Sequence, residues 1–215
     1  MVHPSNVKAP IPPAPVVHII EDDASLRLAI DSLLRSVGLN TRCHDSVQSF
    51  LDDKPLDTAG CLVLDVRLPG ISGLDFQATL AQRGIHLPVV MMTGYGDIPM
   101  TVQAMKAGAV DFLTKPFRDQ DMLDAVSTAV AKDRQRRKDL QETEALRNRY
   151  ASLSPREQQV MALVTAGKMN KQVAAELNLS EITVKIHRGA AMRKMQARSL
   201  AALVKMAESL PQATH

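Results

Sequence analysis

The sequence predicts an α/β protein in which a doubly wound, five-stranded parallel sheet is followed by a long helix and then by a small all-α domain. The first observation is that five short apolar segments alternate with amphipathic segments between Val16 and Phe117. The second is that neither glycine nor proline occurs between Pro116 and Pro155. The third is that turn residues divide the chain after Ser154 into short helical patterns. A chain of 215 residues is long enough for two domains.

The predicted sheet uses five short apolar runs, at residues 16–20, 41–44, 61–65, 89–92 and 110–113. In the helical pattern after the first run, Leu26, Ile30, Leu33 and Leu34 form one stripe. Gly38 follows at the position where a left-handed residue ends a helix. Because strands and helices alternate along the chain, we place a domain with helices on both faces of its sheet at residues 16–118.

The segments on either side of this domain have different compositions. Residues 1–15 contain five prolines and few apolar side chains, which predicts a flexible tail. Residues 119–152 are rich in helix-forming residues and predict one long helix, whose first turns would pack on the sheet through Met122, Val126 and Val130. Residues 132–138 are almost all charged, so we interpret the rest as a solvated linker. A weak dimer seam is the alternative.

Composition excludes several classes of protein. No apolar run reaches the roughly 18 residues of a membrane span, and the first residues lack the basic-then-apolar pattern of a signal peptide. We therefore expect a cytoplasmic protein without a membrane partner. Cys43 and Cys61 lie within predicted strands and are expected to be buried, reduced thiols. Residues 154–215 carry nine Lys and Arg against four Asp and Glu, a bias that is typical either of a solvated surface or of a domain that attracts nucleic-acid phosphates.

Polar residues follow the predicted strands at the points where the strands end. Glu21 and Asp22 follow the first strand, Asp65 ends the third, Thr93 follows the fourth and Lys115 follows the fifth. The carboxyl ends of parallel strands share one edge of the sheet, where ligands of such folds bind. Three converging carboxylates need a divalent cation, and hard oxygen ligands favour Mg²⁺. Asp65 is then the natural nucleophile for a phosphoryl group, with Thr93 and Lys115 as partners of its oxygens.

These residues belong to segments that resemble the receiver domain of two-component response regulators, a flavodoxin-like fold. The matching segments are Ile-Glu-Asp-Asp at 20–23, Leu-Asp-Val-Arg-Leu-Pro-Gly at 64–70, Met-Thr-Gly-Tyr-Gly-Asp at 92–97 and Phe-Leu-Thr-Lys-Pro-Phe at 112–117. The resemblance implies that a sensor histidine kinase transfers phosphate to Asp65, with Mg²⁺ held by Glu21, Asp22 and Asp65. Glu21 stands where the family more often has Asp.

The same resemblance assigns two further features. It implies that Thr93 and the aromatic side chain of Phe112 rearrange on phosphorylation, and that the peptide bond between Lys115 and Pro116 is cis. A permanent core position is the alternative interpretation of Phe112. An aspartyl phosphatase would also place Asp at a strand end, but it needs a second carboxylate two residues later, where this chain has Arg67.

The last segment, residues 153–208, shows the spacing of a helix-turn-helix domain. Ser154 begins a capping box with a proline at the first helical position, Gly167 ends that helix, and Asn170 begins a short second helix. Ser180 caps a third helix after a three-residue turn. In this third helix one stripe is apolar and the other face is free to enter a DNA major groove.

The candidate DNA contacts divide into two groups. Lys185 and Ile186 would contact base edges, with Gly189 allowing close approach. Other basic residues would bind phosphates, which positions the protein without specifying sequence. The full set is Lys171, Thr183, Lys185, Ile186, Arg188, Gly189, Arg193 and Lys194. Gly189 costs about 1 kcal/mol of helix propensity.

This segment resembles the LuxR-type output domain, in the FixJ-like branch of regulators, through Leu-Ser-Pro-Arg-Glu at 153–157, Gly-Lys-Met-Asn-Lys at 167–171 and Thr-Val-Lys-Ile-His-Arg at 183–188. The resemblance implies dimeric binding to double-stranded DNA, with Leu200, Leu203 and Val204 near the subunit contact. Those residues could equally complete a four-helix core. The two resemblances together imply a transcription regulator that forms a homodimer on phosphorylation, not an enzyme with a separate substrate. The rival interpretation is a constitutive DNA-binding protein whose receiver only dimerises.

Overall fold

The computed structural model describes residues 14–53, 58–94 and 98–210, which divide into two compact units between Arg137 and Lys138. All but the last two residues of the predicted tail lie outside these ranges. Within the described ranges, no helix is both long enough and apolar enough to cross a membrane. The sheet belongs to the first unit and the short C-terminal helices to the second.

The sheet has five parallel strands in the order β2-β1-β3-β4-β5. Its strands are β1 (Val16–Ile20), β2 (Asn40–His44), β3 (Gly60–Asp65), β4 (Val89–Thr93) and β5 (Asp111–Thr114). The helices of this unit are α1 (Ala24–Ser36), α2 (Val47–Asp52), α3 (Gly73–Thr79), α4 (Ile98–Lys106) and the first part of α5 (Asp119–Ala151). The predicted fold class is therefore confirmed, with strand bounds that differ from the expected ones by one residue at most.

Both faces of the sheet are covered, since alternate side chains of each strand enter different apolar clusters. Val17, Ile19 and Val63 pack in one cluster with side chains of α1 and α5. Ile20 and Leu64 pack in the other with side chains of α2 and α3. Such burial on both faces explains why the strands read as continuous apolar runs.

The two cysteines differ in exposure. Cys61 in the central strand β3 is buried as expected, but Cys43 is exposed, so the expectation of two buried thiols was wrong for Cys43. The physical reason is that β2 lies at the edge of the sheet, where less of the helical layer covers it. Both thiols are free.

The long helix α5 is fixed to the sheet by a buried carboxylate, Asp133. Its Oδ2 accepts a hydrogen bond from the backbone N–H of Gly60 at 3.0 Å, at the start of β3. The same side chain pairs with Arg136 at 2.7 Å and with Arg137 at 2.9 Å. Because a buried carboxylate is costly unless it is paired and hydrogen-bonded, these partners account for its burial.

The second unit contains α6 (Pro155–Thr165), α7 (Asn170–Leu177), α8 (Glu181–Met195) and α9 (Leu200–Glu208). The expected capping box is present, because Ser154 and Glu157 each accept a hydrogen bond from the other's backbone N–H. Leu146 near the end of α5 is buried against this unit's core, together with Leu203. The end of the predicted linker thus belongs to the core of the second unit.

Candidate functional site

The carboxyl edge of the sheet brings together the side chains that the strand ends predict. Lys115, after β5, places its Nζ 2.6 Å from Glu21 Oε2 and 2.8 Å from Asp65 Oδ2. Glu21 and Asp65 are almost fully buried, whereas the neighbouring Asp22 is exposed. The site therefore has two buried carboxylates that a lysine bridges and a third carboxylate that is open to solvent.

Backbone contacts hold this arrangement in place. Asp23 caps α1 by accepting hydrogen bonds from two backbone N–H groups of its first turn. Arg27, one turn later, donates to the backbone oxygens of Glu21 at 2.6 Å and Asp22 at 3.2 Å. These contacts fix the direction in which the two carboxylates leave β1. Sequence reasoning did not find Arg27, since nothing in its spacing marks it as a partner of the site.

Gly73 is a second residue that sequence reasoning missed. A Cβ atom at this position would lie 2.1 Å from the backbone oxygen of Asp65, far inside any real contact. The backbone N–H of Gly73 donates to Val66 O at 2.9 Å. Only glycine lets the start of α3 lie this close to the end of β3, so Gly73 shapes the loop behind Asp65.

The charges of the site depend on one another. Burial raises the pKa of Glu21, hydrogen bonding with Lys115 opposes the rise, and the nearby Asp65 charge adds to it. Burial alone would lower the pKa of Lys115, but hydrogen bonds to Asp65 and Glu21 outweigh it, so this pKa lies above its ordinary value. Lys115 is therefore a permanent positive charge between two carboxylates at neutral pH.

The acidic residues fit a divalent cation. One oxygen from each of Glu21, Asp22 and Asp65 lies within 4.8 Å of the others. The set contains only hard oxygen ligands and includes the exposed Asp22, which suits Mg²⁺ because that ion retains several waters. An open cleft of about 500 Å³ borders Asp22 and Arg67 and gives access to this side of the site.

The other residues predicted for the phosphoryl site also lie at or near the carboxyl edge of the sheet. Thr93 is fully buried at the end of β4, and its backbone oxygen accepts from Lys115 N–H at 2.7 Å. The cis peptide bond expected between Lys115 and Pro116 is present. Phe112 is partly buried against the cluster that contains α3, so its position is compatible with both interpretations. The segment at 95–97, part of the quoted motif, lies outside the described residues.

Helices α7 and α8 form the predicted helix-turn-helix. Three residues separate them, and Asn178 adopts a left-handed φ of 55° in this turn. Val184, Ala191 and Met195 are fully buried, as expected for the apolar stripe of α8. On the opposite side Ile186 is 63% exposed.

The candidate base-contacting face has one member that sequence reasoning missed. Ile182, one turn before Ile186, is 71% exposed, and Lys185 is exposed between them. A Cβ atom at Gly189 would meet only the end of the Arg193 side chain, at 3.6 Å, so packing does not require this glycine. Thr183 is half-buried, and its hydroxyl lies 2.8 Å from that of Ser180.

The candidate phosphate contacts differ in how free they are. Lys171 is exposed, whereas Arg188 donates to Asn170 Oδ1 at 3.2 Å. Lys194 pairs with Glu157 at 2.6 Å and also donates to the Ser152 backbone oxygen. Lys194 therefore has a structural role within the unit besides any contact with DNA.

The last helix contributes to the core and to the surface. Leu203 is fully buried, which supports the interpretation that α9 completes the helical core. Leu200 is 37% exposed at the start of the same helix. Leu203 is thus a core residue, and the subunit contact expected near Leu200 and Val204 stays a prediction.

Comparisons with known proteins match both units. The model of the response regulator receiver domain matches residues 17–127, and the model of bacterial regulatory proteins of the luxR family matches residues 151–207. The chain is 56% identical to Nodulation protein W of Bradyrhizobium diazoefficiens, over 91% of this chain and 86% of that protein. It is 44% identical to the transcriptional regulatory protein FixJ of Azorhizobium caulinodans, over 89% of this chain and 90% of that protein. The solved structure of response regulator StyR matches with a TM-score of 0.83 and 44% identity, covering 91% of this chain and 99% of that one.

Proposed function

Because this chain belongs to the response regulators that join a receiver domain to a LuxR-type DNA-binding domain, we propose that it is a transcription regulator controlled by phosphorylation of Asp65. The observation that carries this proposal is the Lys115 bridge between Glu21 and Asp65. It presents a buried carboxylate beside a fixed positive charge at the edge where a phosphoryl group would arrive. A regulator that acts on DNA would work in the cytoplasm.

The proposed transfer moves a phosphoryl group from a phosphohistidine of a sensor kinase to Asp65. The P–N bond of the donor breaks, an Asp65 carboxylate oxygen forms the new P–O bond, and the histidine nitrogen takes up a proton. Glu21, Asp22 and Asp65 would hold Mg²⁺, which neutralises charge between the carboxylates and the incoming phosphoryl oxygens. Lys115 is placed to pair with one phosphoryl oxygen, and Thr93 to hydrogen-bond another after its side chain rearranges.

The proposed output is binding to double-stranded DNA through α8. Lys185 and Ile186 are exposed and can reach base edges, and Lys171 and Arg188 can contact phosphates. Phosphorylation would favour a homodimer, which holds two such helices over adjacent half-sites. The second contact then becomes effectively intramolecular, so a modest preference for dimers strengthens binding to DNA.

The test uses the full chain, acetyl phosphate and Mg²⁺. We expect one phosphoryl group on Asp65 by mass spectrometry, a shift from monomer to dimer in sedimentation, and tighter binding in a gel-shift titration. Asp65→Asn should lose all three responses, because an amide is a poor nucleophile. Asp75→Asn, an exposed carboxylate on α3, is the matched control and should keep them.

Two results would contradict the proposal. Phosphate incorporation into a folded Asp65→Asn protein would show that the acceptor lies elsewhere. An unchanged oligomeric state together with unchanged DNA affinity after phosphorylation of Asp65 would favour the constitutive DNA-binding protein.

A further inference from the structure

The sheet edge opposite Asp65 contains a cleft of about 360 Å³ that the proposed phosphoryl transfer does not use. It lies within the first unit, between α3, the segment that leads into β4, the end of α4 and the middle of α5. Its volume is within the range of small-molecule sites. We call it the opposite-edge cleft, and its main lining residues are Gln77, Leu80, Ile85, Pro88, Lys132 and Arg136.

Gln77 lines this cleft, and its side chain has an unmet hydrogen-bonding group. Gln77 is only 5% exposed, and its Nε2 donates to the backbone oxygen of Ala104 at 3.3 Å. This bond fixes the orientation of the amide, since a flipped amide would set two oxygens against each other. Oε1 is buried, and no group in the described residues donates to it. A buried acceptor of this kind calls for a donor from water or from a ligand.

The opening of the cleft is positively charged. Lys132 and Arg136 lie one turn apart on α5, on the same side of the helix. Arg136 pairs with Asp133 through Nε and Nη2, so its Nη1 is not used in that pair. Lys132 is exposed and has no ion-pair partner among the residues that the structure describes. These charges exclude a metal cation and favour an anion.

From these three features we propose that the opposite-edge cleft binds a small organic anion that has an apolar body and an O–H or N–H donor. The anionic group would pair with Lys132 and Arg136, the apolar body would cover Leu80 and Ile85, and the donor would bond to Gln77 Oε1 once the side chains over this atom have shifted. An inorganic anion would leave the apolar wall uncovered in a cleft of this volume. The site lies at the amino ends of the strands, whereas Asp65 lies at the carboxyl end of β3, and it does not depend on phosphorylation.

The test is an NMR titration of the ¹⁵N-labelled full chain with 2-, 3- and 4-hydroxybenzoate. These probes combine a carboxylate, an apolar ring and a hydroxyl at three different spacings. We expect at least one of them to shift the side-chain amide signal of Gln77 in a saturable way. Benzoate, which lacks the donor, and hydroxybenzyl alcohol, which lacks the charge, should each bind about tenfold more weakly. Inorganic phosphate should produce no saturable shift at Gln77.

Two variants separate this site from nonspecific binding. Lys132→Ala should weaken binding of the best probe severalfold, whereas Lys138→Ala, an exposed lysine further along the same helix, should not change it. Gln77→Met should remove the preference for hydroxybenzoate over benzoate. The proposal is overturned if all three hydroxybenzoates fail to bind at millimolar concentration, or if binding is unchanged in Lys132→Ala. Those outcomes would mean that only water satisfies Gln77, and they would leave the role of Asp65 untouched.

Discussion

The ammonium nitrogen of Lys115 lies 2.8 Å from Oδ2 of Asp65, and the same nitrogen lies 2.6 Å from Glu21 Oε2. One lysine thus pairs with both buried carboxylates of the proposed phosphorylation site, and its single positive charge offsets one of their two negative charges. A cation held by those carboxylates would offset their negative charge together with Lys115. The stability of the receiver should therefore depend on Mg²⁺ and Lys115 together.

The first prediction concerns Lys115→Met. Without Mg²⁺ we expect this variant to lose about 3–5 kcal/mol of receiver stability, because two buried carboxylates lose their shared partner. Mg²⁺ should stabilise the variant more than the natural protein, since it then supplies the missing positive charge. Urea denaturation with and without Mg²⁺, followed by NMR signals of the sheet, measures both effects. Lys106→Met, an exposed lysine on α4, should behave like the natural protein, and an equal response of the two variants to Mg²⁺ would refute the prediction.

The second prediction separates base contacts from phosphate contacts. Lys185→Ala should cost about 1–3 kcal/mol at the preferred DNA site and much less on other sequences. Lys171→Ala should weaken binding to all sequences alike and reduce the slope of log affinity against log salt by about 1. Gel-shift titrations at several salt concentrations test both. If the two variants lose specific and nonspecific binding equally, the assignment of the α8 face is wrong.

The third prediction concerns Gly189. Since a Cβ atom there makes only an ordinary contact, Gly189→Ala should stabilise the second unit by about 0.5–1 kcal/mol through helix propensity. Hydrogen exchange of the Ala191 backbone amide in the full chain reports this gain. Ala162→Gly, an exposed position on α6, should lose a similar amount. If α8 approaches DNA closely at Gly189, the more stable variant should bind DNA more weakly, and unchanged binding would exclude that close approach.

The fourth prediction is a loss of receiver stability in acid. His18 and His44 are buried, with Nδ1 of the first 3.2 Å from Nε2 of the second. The 5.5 Å between their ring centres is the largest separation that this distance between the nitrogens allows. The rings therefore lie edge to edge and share one hydrogen bond. Burial lowers the pKa of His18 to about 4, helped by the charges of His44 and Arg42 and opposed by Asp53.

The sign of the effect follows from the lowered pKa. The unfolded chain binds a proton at His18 near pH 6.5, and the folded chain does so only near pH 4. The contribution of neutral His18 to the stability of the receiver is therefore complete above pH 6.5. This stability falls by about 3 kcal/mol at most as the pH falls towards 4. His18→Leu should flatten this part of the stability profile, measured by urea denaturation of the full chain between pH 7 and 4.5. The exposed His86→Leu is the control, and equal slopes in both variants would exclude His18 as the source.

Much of the fold could be predicted from the sequence, because local signals, such as helix caps and helix-ending glycines, agree with the order of strands and helices along the chain. Gly38 has the left-handed φ of 80° that its place after α1 predicts. The capping box between Ser154 and Glu157 forms as its spacing predicts. Strand-end residues such as Asp65 and Lys115 meet because parallel strands share one carboxyl edge, so the order of the chain already implies their proximity.

The features that were missed depend on contacts between segments distant in sequence. The requirement for Gly73 comes from the Asp65 backbone, and the pairing of Lys194 comes from Glu157 in another helix. From the sequence alone, a lysine on the surface of a recognition helix is interpreted as a phosphate contact, because its ion-pair partner in another helix is not yet known. Leu146 likewise falls in the segment that the sequence indicates to be a solvated linker, although it lies in the core of the second unit.

The contacts of Asp133 decide where the chain can be cut. The family match to the receiver ends at residue 127, yet a truncation there would remove the carboxylate that accepts the Gly60 N–H at the start of the central strand. A cut after Arg137 retains Asp133 with both of its arginine partners. On the other side, a fragment that begins after Leu146 would leave a gap in the core of the DNA-binding domain. The two domains should therefore be separated within the charged helical turns of α5 at residues 138–145. Neither of the boundaries that the family matches mark is suitable.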